Sequence, residues 1–288
     1  MAQNDRQGPT KGTVWSRQSF AKGTDSCRVA CSKGSLGLQK NYEERMKPYY
    51  EDEAVTIYNA DCRDVLPTLD TVDLVLTDPP YGITSNEWDI ALPASQMLSG
   101  FKTVVMTASQ PFAAQIICAD LERFKHEWIW VKNRGSNFAN TVREPFKEHE
   151  SVLVFSDGQW IYNKQMQRRT GSGADRVKYE VNHHSNSDNY REFKDHTATH
   201  PEDRVPSSIQ YFNIETEGEH PTRKPLLLFK YLVLTYSDSN HTILDPFMGS
   251  GTTLRAAKDL GRKAIGIELE ERYCEIAAKR MAQLAMAL

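Results

Sequence analysis

The residues best suited to do chemistry are Asp78, Pro79, Pro80 and Tyr81, which follow the apolar run LVLT. Proline cannot donate a hydrogen bond to a β-ladder, so the strand that contains LVLT must end close to Asp78. The proline ring also fixes φ, which gives Asp78 and Tyr81 a stiff backbone. A carboxylate and an aromatic ring held in this way predict a site that fixes the geometry of a bound group.

A second candidate site is the glycine loop in DPFMGSGTTL, where Gly249 and Gly251 let a ligand approach the backbone closely. The loop lacks the GxxxxGK[ST] pattern of a Walker A loop, and Leu254 stands where a dinucleotide fingerprint needs a third glycine. Glu268 ends the next predicted strand, where Rossmann-like sheets bind ribose hydroxyls. Together they predict a nucleoside ligand without a pyrophosphate requirement, although the glycines alone also fit a tight strand-to-helix turn.

Predicted strands and helices alternate along the chain. The strands are residues 55–61, 72–78, 103–108, 127–132, 150–156, 241–247 and 263–270. The helices are residues 62–69, 91–101, 111–124, 225–237, 252–261 and 271–288. This alternation predicts an α/β fold with a mostly parallel sheet covered on both faces. Both candidate sites then lie at the carboxyl ends of parallel strands, where open α/β sheets bind ligands.

Composition and charge fit a soluble globular protein of 288 residues, of which 39% are apolar and 25% charged. The longest apolar stretch, 225–234, contains Lys230 and is too short to span a bilayer. The first residues include no apolar segment of a secretory signal, so we expect a cytoplasmic protein with no membrane partner. Five scattered cysteines without a CxxC pair predict reduced thiols. A zinc site built from Cys27, Cys31, His183 and His184 fits no standard ligand spacing, so no metal is predicted.

Two polar segments stand apart from the predicted strands and helices. Residues 1–47 hold nine Lys and Arg against four acids, which favours a solvated, partly disordered tail over a DNA contact. Residues 157–219 show no periodic pattern. A structureless loop of that length is unusual in a compact domain, so a flexible insertion and a small recognition module are both open interpretations.

The motifs TDPPYG, FMGSG and HPTRKP, with NFANTVREPFKEHESVLVF, resemble those of DNA amino-methyltransferases. The order, catalytic motif before cofactor motif, resembles the β group, and the likeness covers residues 54–280 apart from 157–219. It implies a Rossmann-like methyltransferase fold, in which a seven-stranded sheet is circularly permuted so that residues 241–247 and 263–270 form its first two strands. It also divides the chain into a basic N-terminal segment (1–53), a catalytic half (54–156), a target recognition insertion (157–219) and a cofactor-binding half (220–288).

The same resemblance implies S-adenosylmethionine as cofactor. Glu268 would bind the ribose, and Asp61 would contact the adenine unless it serves only as the N-cap of the helix that follows it. The remaining cofactor-binding residues implied by the family are Asp78, Thr222, Lys224, Asp245, Phe247, Gly249, Ser250, Gly251 and Thr252.

The catalytic residues implied are Asp78, Pro79, Pro80 and Tyr81. An exocyclic amine is a poor nucleophile because its lone pair is delocalised into the ring. Asp78 and the carbonyl of Pro79 would accept its two N–H groups, and Tyr81 would stack on a base flipped out of double-stranded DNA. Candidate phosphate contacts are Arg143, Lys147, Lys164, Arg168 and Arg169.

Asp78 favours adenine N6 as the target, with cytosine N4 as the alternative, because the family tends to carry Ser at this position for cytosine. Methylation of cytosine carbon 5 is rejected because no proline is followed by cysteine. A non-catalytic DNA-binding protein would show damage in one of the two motifs, and glutamine methylation would favour Asn at position 78. A cognate restriction endonuclease and a homodimer remain open.

Overall fold

The computed structural model describes residues 47–82, 93, 97–169, 202–215 and 224–283. The residues of the zinc alternative (Cys27, Cys31, His183 and His184), Thr222, and residues 91, 92 and 94–96 of the predicted helix at 91–101 lie outside these ranges. The same is true of nearly all of the basic segment and of residues 170–201, inside the predicted insertion. None of the helices in the described ranges is long and apolar enough to cross a membrane.

The described residues form eleven strands and five α-helices. The strands are β1 (Tyr50–Glu51), β2 (Val55–Asn59), β3 (Leu74–Thr77), β4 (Thr103–Ala108), β5 (Phe124–Val131), β6 (His149–Ser156), β7 (Gln167–Arg168), β8 (Asp203–Arg204), β9 (Ile209–Tyr211), β10 (Thr242–Asp245) and β11 (Lys263–Glu268). The helices are α1 (Cys62–Val65), α2 (Phe112–Ala119), α3 (Leu226–Tyr236), α4 (Thr252–Asp259) and α5 (Glu271–Ala282). All seven predicted strands are therefore confirmed.

The main sheet has the order β1-β2-β11-β10-β3-β4-β6-β5-β9. Strands β2, β11, β10, β3 and β4 run parallel, and β6 runs antiparallel to both β4 and β5. The described part of the sheet contains nine strands where seven were expected, because the short strands β1 and β9 extend its two edges. The last two described strands, β10 and β11, lie between β2 and β3.

The start of β5 and the presence of β9 differ from the sequence prediction. Helix α2 ends at Ala119, and β5 begins at Phe124, three residues earlier than expected, because Phe124 pairs with Phe155 of β6. Residues 209–211, inside the polar stretch, form β9 and pair with β5. A strand of three residues is too short to give a periodic pattern, so only its pairing partner specifies it.

Helices pack on both faces of the sheet, as predicted. Leu74 and Leu76 of β3 belong to the apolar cluster that contains residues of α3, α4 and α5. Val75 points to the opposite cluster, which contains residues of α1 and α2. All four residues of β3 are buried, which explains why this strand reads as a continuous apolar run.

The carboxyl ends of β3, β10 and β11 lie side by side. Leu244 pairs with Val75 on one side of β10, and Asp245 pairs with Gly266 on the other. The residues that follow these strands, DPPY, the glycine loop and the turn after Glu268, therefore emerge at one edge of the sheet.

Candidate active site

One cavity of about 1330 Å³ at this edge is lined by both candidate motifs. The predicted site residues that line it are Asp61, Asp78, Pro79, Pro80, Tyr81, Lys224, Asp245, Phe247, Gly249, Ser250, Thr252 and Glu268. The expectation that Asp78 and Gly249 share one crevice is thus confirmed. Gly251 does not line the cavity but starts α4 with φ of 78°, and a Cβ there would lie 2.9 Å from the Cβ of Ala277.

The carboxylate of Asp78 is oriented by three donors. Its Oδ1 accepts hydrogen bonds from the Tyr81 hydroxyl at 2.8 Å and from the Thr107 hydroxyl. Its Oδ2 accepts a hydrogen bond from Lys224 Nζ at 2.8 Å. The Asp78 side chain is 29% exposed, so the cavity still reaches it. Since a carboxylate offers about four acceptor positions, three donors leave room for one more.

Lys224 connects Asp78 to a second carboxylate. Its Nζ lies 2.8 Å from Asp78 Oδ2 and 3.4 Å from Glu150 Oε2, and Glu150 also pairs with Lys132. Burial lowers the pKa of Lys224, but the carboxylates of Asp78 and Glu150 raise it by more, so the net shift is upward. The ammonium is therefore retained at neutral pH. Lys132, Glu150, Lys224 and Asp78 form a row of alternating charges that ends at Asp78.

Tyr81 lies with its ring stacked on Phe112, with centroids 5.2 Å apart and an interplanar angle of 29°. Lys224 Nζ lies 5.6 Å from the centroid of the same ring. Burial, and then the nearby carboxylates of Asp78 and Glu150, raise the pKa of Tyr81 well above its ordinary value. Tyr81 therefore keeps its hydroxyl proton, which it donates to Asp78.

The Asp245 side chain is buried, and both of its oxygens accept hydrogen bonds from within the protein. The Thr77 hydroxyl at 2.6 Å and the Phe247 amide at 3.1 Å donate to Oδ1, and the Thr253 hydroxyl donates to Oδ2. The residue is only 2% exposed. Burial raises the pKa of Asp245 to about 7 against these hydrogen bonds, which lower it. These contacts join β3, β10 and α4, so Asp245 fixes the start of the glycine loop.

The raised pKa of Asp245 predicts a pH-dependent stability. Because the pKa in the folded protein, about 7, exceeds the ordinary 3.8, the stabilising contribution is complete below pH 3.8 and is lost as the pH rises through 7. That shift corresponds to at most about 4 kcal/mol. We expect Asp245→Asn to gain stability relative to the wild type as the pH increases from 4.5 to 8, measured by urea denaturation. A difference that does not vary with pH would contradict this assignment.

Glu268 braces the glycine loop. Its Oε2 accepts a hydrogen bond from the Gly249 amide at 3.0 Å, and its Oε1 accepts one from the Glu270 amide at 2.8 Å. Gly249 has φ of 51°, a conformation that favours glycine. Burial raises the pKa of Glu268. The Glu268 carboxylate thus stabilises the glycine loop and also lines the cavity, where it was predicted to bind a ribose.

Asp61 is the N-cap of α1. It accepts a hydrogen bond from the Arg63 amide at 2.9 Å and pairs with the Arg63 guanidinium. That hydrogen bond to the Arg63 side chain is the main reason why the pKa of Asp61 is lowered. The N-cap alternative is therefore present in the structure, and the side chain borders the cavity as well.

Three residues in the network of contacts around Asp78 were not predicted: Thr107, Lys132 and Glu150. Glu150 lies near the amino end of β6, which reaches this edge only because β6 is antiparallel to its neighbours. Lys132 directly follows β5, and Thr107 lies near the end of β4. A charged or hydroxyl residue at the end of a predicted strand is a signal that could have identified Lys132 and Thr107.

The family model and the relatives that match this chain all belong to one family of proteins. Residues 72–279 match the family model N6_N4_Mtase, described as DNA methylase. The Lactococcus lactis subsp. cremoris type II methyltransferase M2.LlaDCHI is 28% identical over 82% of this chain and 92% of its own length. The DNA adenine methyltransferase YhdJ of Escherichia coli is 25% identical over 81% of this chain and 84% of its own length.

Solved structures agree with this match. The M1.HpyAVI–SAM complex has a TM-score of 0.54 at 25% identity, covering 80% of this chain and 100% of that chain. The cytosine-N4-specific PvuII DNA methyltransferase, at 17% identity and a TM-score of 0.57 over 84% of this chain and 91% of that chain, shows the same fold. With both family motifs on one cavity, the chain belongs to the β group of S-adenosylmethionine-dependent DNA amino-methyltransferases.

Proposed function

We propose that this enzyme methylates the exocyclic N6 of an adenine that has been flipped out of double-stranded DNA. The observation that carries the proposal is the position of Asp78, a fixed carboxylate that reaches the same cavity as the glycine loop. A base inside a duplex cannot reach a carboxylate in such a cavity, so the target must leave the stack.

The cavity fits the cofactor in size and in chemistry. A volume of about 1330 Å³ exceeds the roughly 300–1,000 Å³ typical of single-ligand pockets, so it leaves room for a cofactor and a base. When bound, S-adenosylmethionine supplies an electrophilic methyl group on a positively charged sulfur. Glu268 would accept hydrogen bonds from the ribose hydroxyls, and Phe247, Ile267 and Leu269 give the cavity apolar surface for the adenine.

Asp78 and Pro79 would prepare the amine for attack. The fourth acceptor position of the Asp78 carboxylate would take one N–H of the target amine, and the Pro79 carbonyl would take the other. Two such acceptors favour a pyramidal nitrogen with an exposed lone pair. Pro79 and Pro80 keep the acceptors in place, and Lys224 orients the Asp78 carboxylate. Most of the rate acceleration would then come from positioning.

Lys224 was expected among the cofactor-binding residues, and its Nζ lies between Asp78 and Glu150. We therefore propose that it acts by orienting Asp78.

The division into a catalytic half and a cofactor-binding half with a recognition insertion at 157–219 is part of the proposal. It is supported by the loss of a periodic sequence pattern over residues 157–219. Because several relatives are named type II methyltransferases, we also propose a restriction endonuclease of the same specificity as partner. A homodimer is a separate proposal, which light scattering would test.

The target base can be identified in cells. We propose to express the chain in a host without DNA methylation and to sequence the genome by a method that detects modified bases directly. The proposal predicts N6-methyladenine at one position of one short recognition sequence. Modification confined to cytosine N4 would favour the alternative target, for which the same pair of acceptors would serve.

Glu268→Ala should weaken cofactor binding. The change removes an acceptor for the ribose and the carboxylate that holds the Gly249 amide. Losing hydrogen bonds to a charged group costs about 1.5–3 kcal/mol, so we expect Kd for S-adenosylmethionine to rise about 10- to 100-fold in calorimetric titration. Glu271→Ala, an exposed acid in the first turn of α5, serves as the matched control. Unchanged affinity in the Glu268 variant would contradict its ribose role.

A further inference from the structure

The loop between β5 and β6, residues 132–148, exposes three large apolar side chains, of which Phe138 and Val142 are the most exposed. Phe138 is 83% exposed and Val142 is 92% exposed. Phe138–Asn140 forms a short 3-10 helix, and the turn that follows is closed by the Glu144 amide, which donates to the Asn140 carbonyl. Phe138 and Val142, four residues apart on these two consecutive turns, are the apolar tip of the loop.

The base of this loop is firmly braced. The Asn137 side chain spans it, because its Nδ2 donates to Glu144 Oε1 at 3.2 Å and to the Pro145 carbonyl at 3.0 Å, while its Oδ1 accepts from the Lys147 amide at 2.6 Å. The ring of Phe146 covers Gly135 so closely that a Cβ there would lie 2.6 Å from a ring carbon. The tip is thus presented by a defined scaffold.

The braced base borders the active site. Arg134, Gly135, Ser136 and Lys147 line the same cavity as Asp78, while the tip extends into solvent. The apolar tip therefore flanks the opening through which a target base must enter.

Charge around the tip suits DNA. Arg134 and Arg143 are exposed, and neither forms a salt bridge with another described residue. With Lys147 they outnumber the two acids of the loop, Glu144 and Glu148. A basic surface of this kind attracts the phosphate backbone, which places the apolar tip against the duplex.

We propose that Phe138 and Val142 insert into the duplex as an apolar wedge and fill the space that the flipped base leaves. The inference rests on the proposed function, because it requires that the enzyme act on a flipped base. Proteins that bend DNA insert apolar side chains between base steps, so such side chains can occupy the space between unstacked bases. The wedge would therefore lower the cost of flipping without touching the cofactor or the target amine.

The test compares the double variant Phe138→Ala/Val142→Ala with the wild type on two duplexes that carry the recognition sequence. One duplex is fully paired, and in the other the target base faces an abasic site, so that flipping is already easy. We expect the single-turnover rate to fall at least 10-fold on the paired duplex and less than 3-fold on the abasic one. S-adenosylmethionine affinity should not change, which also shows that the variant is folded.

The matched control is Leu121→Ala, which removes a 68% exposed apolar side chain before the amino end of β5, whereas the loop follows its carboxyl end. It should match the wild type on both duplexes. Equal losses on the two duplexes, or no loss on either, would overturn the wedge. Methylation of cytosine instead of adenine would overturn only the proposed target, because a cytosine must be flipped as well.

Discussion

Asp78→Ala is expected to slow methyl transfer strongly while cofactor binding is preserved. The variant loses the carboxylate that would accept an N–H of the target amine, and removal of one such fixed electrostatic group typically costs about 10²- to 10³-fold in rate. The cofactor loop is held by other residues, since Gly249 is bound by Glu268 and the start of the loop by Asp245. We therefore expect the single-turnover rate on DNA to fall by that factor and Kd for S-adenosylmethionine to change less than about twofold.

Two further variants make the Asp78 result specific. Asp78→Asn keeps the shape but places an N–H group where an acceptor is needed, so it should be almost as inactive as the alanine variant. Asp70→Ala removes an exposed acid ahead of the amino end of β3 and should leave the rate unchanged. Wild-type turnover by Asp78→Ala would remove this residue from the mechanism.

Lys224→Met should reduce both activity and stability. The variant leaves the carboxylates of Asp78 and Glu150 facing each other without the ammonium between them. Removing one partner of a fully buried pair costs about 3–5 kcal/mol, and because the Asp78 side chain is 29% exposed we expect the free energy of unfolding to fall by about 2 kcal/mol. Asp78 would also lose the contact that fixes Oδ2, so we expect at least a tenfold lower methylation rate.

The double variant Lys224→Met/Glu150→Gln separates these two effects. Neutralising Glu150 removes the repulsion, so chemical denaturation should show that part of the lost stability returns. The methylation rate should stay low, because Asp78 still lacks the ammonium. If Lys224→Met alone kept both the stability and the rate of the wild type, the charge row that ends at Asp78 would have no functional role.

Much of the site could be predicted because it follows parallel strands. The apolar runs of β3, β10 and β11 mark strands buried on both faces, and the residues after them must meet at one edge of the sheet. Asp78, Gly249 and Glu268 could thus be assigned to one crevice from sequence, and the cavity contains all three.

The remaining features depend on contacts that no local pattern encodes. Glu150 reaches the site because β6 is antiparallel, and strand direction cannot be read from an apolar run. Asp245 was predicted to face the cofactor, and only the fold shows that its oxygens are taken by Thr77, Thr253 and the Phe247 amide. Strand β9 is too short to have a period and exists because β5 offers it a free edge.

The central claim is that the carboxylate at the end of β3 directs a methyl group onto an exocyclic amine of adenine. The most direct measurement is to incubate the enzyme with double-stranded DNA and methyl-labelled S-adenosylmethionine, digest the DNA to nucleosides and identify the labelled one by mass spectrometry. We predict that the label appears in N6-methyldeoxyadenosine with the wild type and that its initial rate of appearance falls about 10²- to 10³-fold with Asp78→Ala. Label in a methylated cytosine, or in no nucleoside at all, would contradict the claim.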